Sequence, residues 1–139
     1  REQIRVAGIP DRVVLAAHSC SVHMTMAWLE AGSGEAIDAF IGMGMGATDY
    51  QQPMRKPLPL AEIEVPVFDV FGGDDYPAVR RMAGHRIAAI RKAGNPMSAQ
   101  AVVPGADHYY TDRGDELVEV VSRWLRRFHK AGMTESRNR

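Results

Sequence analysis

Three short segments of this chain hold side chains able to move a proton or attack a carbonyl carbon. They are "AHSCS" around Ser19, "GGDDYP" with Asp74 and Asp75, and "GADHYY" with His108. A serine hydroxyl is a poor nucleophile at neutral pH unless a base removes its proton. That base is normally a histidine, oriented by a carboxylate that stabilises the imidazolium. A sharp strand-to-helix turn lifts the serine clear of a sheet and aims the next backbone N–H groups at a developing oxyanion. The turn needs small residues two before and two after the serine, and Ala17 and Ser21 stand there. The amide that would face the oxyanion belongs to Cys20. The bland alternative is that Ser19 caps a helix and that Asp74 and Asp75 favour the positive end of the next one.

The elements that must position these groups alternate along the chain. "RVVLAA" (12–17, from Arg12 to Ala17) is an apolar, β-branched run suited to a buried strand, and "RVAGIPDR" before it reads as a helix end and a Pro-marked entry. A helix over about 20–31 follows, closed by "GSG". "AIDAFIGMG" and "VPVFDVFGG" are further strands, and a fourth lies near 99–103. Helices are predicted over about 78–93, with Val79, Ala83, Ile87 and Ile90 at helical spacing, and over about 114–129. The latter stacks Leu117, Val121, Trp124, Leu125 and Phe128 on one face. Residues 47–64, with Pro53, Pro57 and Pro59, read as loop with a short helix. One domain over 1–131 and a flexible tail over 132–139 complete the division.

This alternation predicts an α/β fold, a parallel sheet flanked by helices on both faces. Working residues of such sheets lie beyond the carboxyl ends of the strands. Ser19, the Asp74–Asp75 pair and "GADHYY" all follow predicted strands, in the order Ser, Asp, His.

Composition narrows the partners. Seventeen basic and seventeen acidic residues cancel among 139, so no charge excess draws the chain to nucleic acid or an anionic membrane. A single cysteine excludes a disulfide within the chain, and no metal site or "HExxH" is read. No apolar run approaches the roughly 20 residues of a membrane span. There is no signal-peptide pattern, but the chain begins at Arg1 rather than Met, so compartment and upstream sequence stay open.

"AHSCS" resembles the nucleophile elbow of the α/β-hydrolase fold, where Gly-x-Ser-x-Gly is usual. "VPVFDVFGGDDYPAV" looks like that superfamily's acid segment, and "VPGADHYYTDRGDELVEVVSRWL" is similar to its histidine loop and closing helix. Only the C-terminal half of the fold is matched, most nearly in a poorly characterised bacterial esterase-like group. The resemblance implies a catalytic triad of Ser19, Asp75 and His108, with Asp74 as the alternative acid, the Cys20 N–H in the oxyanion hole, and no cofactor. It implies a serine esterase or acyl-hydrolase acting on a small ester or acyl substrate. The superfamily's earlier strands, including the loop that donates a second oxyanion N–H, have no counterpart. The strand from Arg12 to Ala17 should therefore present an open edge to a missing N-terminal segment or a second copy in a homo-oligomer. The alternative is a catalytically impaired binding or scaffold subunit whose sheet a partner chain completes.

Other motifs have simpler readings. His18 supports the turn or, with Met43 and Met45, borders an acyl pocket. "GMGMGA" (42–47) formally fits G-x-G-x-x-G/A, but a Pro-broken segment rather than a helix follows, and Glu62 precedes the next strand. Asp69 is expected to be a satisfied structural carboxylate, and "RWLRRFHK" a solvated helix face.

Overall fold

A computed structural model describes residues 12–33 and 37–137, and it has the expected α/β architecture. Strands β1 (Val14–His18), β2 (Ala39–Met43), β3 (Val67–Gly72) and β4 (Ala99–Val103) form one sheet. Its order is β1-β2-β3-β4 and every pairing is parallel. The connections carry α1 (Cys20–Trp28) and α2 (Pro77–Ala93), and α3 (Gly114–Arg137) closes the chain. The lead-in "RVAGIPDR" lies outside the described residues except for Arg12.

Burial follows strand position. All six residues of β3 are buried, as befits an inner strand covered on both faces, whereas β1 and β4 are only partly covered. One core joins Val22 and Met26 of α1 and Ile90 of α2 to Phe40 and Val67. The other face packs Ile41, Phe68 and Val103 against Trp124 and Phe128 of α3. The Trp124 ring lies parallel to Phe68 at 5.0 Å and to Phe128 at 5.5 Å. Its indole N–H donates to the Met97 carbonyl at 2.9 Å, so the ring is buried without an orphaned donor.

Helix ends obey local chemistry. Pro77 opens α2, where a missing N–H costs nothing, and Gly94 closes it in the left-handed conformation. After α1 the chain continues through a wider turn, Leu29–Ser33, in which Gly32 has φ 86°. Residues 47–64 contain a bridge between Ala47 and Pro53 and one 3-10 turn, Leu60–Glu62. Two expectations need correction. The final helix does not end near His129, and the backbone expected to be tail from 132 stays helical to Arg137.

Asp69 was expected to be satisfied, and it is so only in part. Its Oδ2 accepts from Arg86 Nε at 2.8 Å and from Gln100 Nε2 at 2.6 Å. Its Oδ1 and the Arg86 Nη2 have no hydrogen-bond partner among the described residues. Burial pushes the Asp69 carboxyl up, and the Arg86 guanidinium opposes that rise. Arg86 is itself 4% exposed, beside the predicted apolar position Ile87.

Candidate active site

The strand register brings three loops to one rim. His18 of β1 aligns with Met43 of β2, and Met43 with Val70 of β3. The Ser19 amide extends this ladder to the Met43 carbonyl at 2.9 Å, and the Gly44 amide reaches Val70 at 2.9 Å. Ser19 follows β1, Asp75 follows β3 and His108 follows β4, all at the carboxyl ends.

Ser19 occupies a strained turn. Its φ of 54° and ψ of −121° are sparsely populated for any residue with a side chain, at a cost of order 1–3 kcal/mol. The next residue already starts α1. Ser21 locks the bend, because its hydroxyl donates to the His18 carbonyl at 2.7 Å and accepts from the His18 amide at 2.9 Å. Cys20 is exposed, and as the first residue of α1 its amide has no acceptor within the helix.

His108 joins the other two groups. Its Nδ1 lies 2.7 Å from Asp75 Oδ1, and its Nε2 lies 2.8 Å from Ser19 Oγ. An ionised carboxylate only accepts, so Nδ1 carries the proton and Nε2 is left to accept from the serine hydroxyl. His108 is 3% exposed and Asp75 1%, which shields their contact from solvent. Asp75 Oδ1 also accepts from the Tyr76 amide at 2.6 Å. Asp74, the alternative acid, is exposed, and its amide donates to the Ala106 carbonyl at 2.9 Å. Burial and contact therefore single out Asp75.

His18 and the two methionines each have a packing or positioning role. The His18 Nε2–H donates to the His108 carbonyl at 2.8 Å, and the two rings lie 4.8 Å apart, so His18 holds the His108 loop in place. Met45 is wholly buried in the first core, and Met43 packs against the second. The "GMGMGA" glycines also have a packing explanation. Gly44 has φ 59°, and a Cβ there would lie 2.8 Å from His108 Cε1 and 3.0 Å from Nδ1. No helix follows this segment, as a dinucleotide fingerprint would require.

Gly44→Ala is accordingly expected to displace the imidazole while leaving the sheet intact. A shift of about 1 Å costs on the order of 100-fold in rate. Parallel measurements of ester hydrolysis and thermal unfolding separate that loss from gross destabilisation.

Sequence reasoning missed several neighbours. Tyr76 stacks on His108 at 4.2 Å with 17° between planes, and Tyr109 meets the imidazole edge-on at 5.1 Å. Their hydroxyls are 3.1 Å apart. The adjacent tyrosines of "GADHYY" were a visible signal. Gly44 could have been suspected only as a glycine at a strand end.

A cavity of about 460 Å³ is lined by Leu29, Ile37, Pro59 and Val65 among others. It sits where the chain enters β2 and β3, at the rim opposite Ser19, so the hydrogen-bond geometry identifies the site better than cavity size does. Among the described residues no cluster of His, Cys, Asp or Glu is placed to hold a metal ion, and no helix is long and apolar enough to cross a membrane. No family model matches the chain, and neither the curated proteins nor the solved structures include a significant match.

Proposed function

We propose that the protein is a serine hydrolase of esterase or acyl-hydrolase type, built like the C-terminal half of an α/β-hydrolase. The observation that carries this reading is the unbroken relay from Ser19 Oγ through His108 to Asp75, at 2.8 and 2.7 Å. In the reaction Ser19 Oγ bonds to the carbonyl carbon of a small ester while its proton passes to His108 Nε2. The resulting oxyanion faces the Cys20 N–H, the first free donor of α1. The tetrahedral adduct collapses, the bond to the leaving oxygen breaks, and that oxygen takes the proton from Nε2. Water then attacks the acyl-serine by the same proton route, releasing the acid and restoring the hydroxyl. Asp75 holds the imidazole in the required tautomer.

A fluorophosphonate probe tests the mechanism directly. The expected result is one covalent adduct, mapped to Ser19 by peptide mass spectrometry and absent after Asp75→Asn or after denaturation. An unmodified Ser19 in the folded chain overturns it.

A second reading draws on the sheet edge. Among the described residues β1 pairs only with β2, Ala16 is exposed, and Met24 and Trp28 of α1 show apolar surface to solvent. Such an edge suits a subunit that binds a second chain. Under that reading the folded chain associates but leaves the probe unreacted.

A further inference from the structure

The base of the proposed triad is framed by tyrosines that catalysis itself does not require. Tyr76 lies flat against His108, and Tyr109 stands at 80° to it. Tyr50 meets Tyr76 nearly edge-on at 6.2 Å. Tyr109 is 69% exposed and Tyr50 58%, which is unusual for large rings brought together at one spot. Tyr109 is nevertheless held firmly. Its hydroxyl pairs with that of Tyr76, and Asp107 Oδ1 accepts from the amides of Tyr109 and Thr111 at 3.0 and 2.9 Å. A fixed, exposed aromatic edge presents contact area with little rotamer entropy left to lose. The hydroxyl pairing also pushes the Tyr76 phenol up.

The position of these rings indicates which part of a substrate they touch. In acyl transfer the imidazole returns its proton to the leaving oxygen, so the leaving group must sit beside His108. The acyl carbon lies farther off, over Ser19. We infer that Tyr76 and Tyr109 form a leaving-group subsite for a planar aromatic ring, making the preferred substrates esters of aryl-bearing alcohols. This inference rests on the hydrolase reading and narrows its substrate class.

Benzyl and cyclohexylmethyl alcohols form a suitable pair, similar in size and acidity but differing in planarity. With the full chain, benzyl alcohol is expected to shift the Tyr76 and Tyr109 ring signals in an NMR titration. Cyclohexylmethanol should do so roughly 2–10-fold more weakly, the range an aromatic pair supports. Benzyl acetate should exceed cyclohexylmethyl acetate in kcat/KM by a similar factor. Tyr109→Leu should bring both ratios near unity, and Tyr109→Phe should keep them. Equal binding of the two alcohols by the wild-type chain, or a preference that survives Tyr109→Leu, overturns the subsite. Fluorophosphonate labelling separates the two ideas. Loss of the aromatic preference with Ser19 still labelled defeats the subsite alone. Unlabelled Ser19 with intact benzyl alcohol binding defeats the triad alone.

Discussion

Replacing Ser19 with glycine is expected to abolish ester hydrolysis while leaving a chain more stable than the corresponding alanine variant. Both substitutions delete the proposed nucleophile, and loss of a triad serine typically lowers turnover by about 10⁴-fold or more. Both also delete the contact to His108 Nε2, so comparing them isolates the backbone. With φ at 54° and ψ at −121°, a Cβ is strained at this position and glycine is not. Ser19→Gly should therefore exceed Ser19→Ala by about 1 kcal/mol in urea unfolding, the reverse of their usual order in regular structure. Hydrolysis of an aryl acetate reads the first effect and the urea midpoint the second. Equal stabilities would mean that the turn is relaxed, and retained hydrolysis would remove Ser19 from the chemistry.

The second large effect lies away from the site. Arg86→Ala strips the cation from Asp69, which is fully buried in β3 and keeps only Gln100 as a side-chain donor. Breaking one side of a buried ion pair costs about 3–5 kcal/mol, because the surviving charge stays desolvated. The pH dependence has a definite sign. Burial already raises the Asp69 pKa and Arg86 opposes the rise, so removing Arg86 raises it further. A carboxyl with a raised folded-state pKa favours the folded state below its unfolded value and loses that advantage as pH climbs through the folded value. The deficit of Arg86→Ala should accordingly shrink as pH falls toward the carboxylate range, in unfolding curves measured across that interval. The double change Asp69→Leu with Arg86→Met should recover most of the stability, since neither charge then needs a partner.

These two sites differ in how much of them could be read beforehand. The neighbourhood of Ser19 was legible because Ser19, Asp75 and His108 each lie within a few residues of the end of a short apolar strand, and parallel sheets gather such positions at one rim. Choosing Asp75 over Asp74 needed more than their types. The two are adjacent, and only the turn after Gly72 sends one inward and the other to solvent. The Asp69–Arg86 pair was only half legible: a carboxylate inside a strand calls for a partner, but that partner lies on another element and Arg86 sits among apolar helix positions. Met45 illustrates the same limit from the other side. A flexible apolar side chain suits a pocket and a core equally well, and its 0% exposure assigns it to the core. The helix running to Arg137 was hidden because its polar last turns resemble an unstructured tail in composition.

The strand order also determines when the hydrogen-bonded relay can form. The hydroxyl follows the first strand and its base follows the fourth, with the carboxylate between them. No contiguous fragment ending before β4 can contain the relay. Under the proposed mechanism, a chain synthesised only as far as β3 would carry an inert alcohol, and the relay would close only when β4 docks.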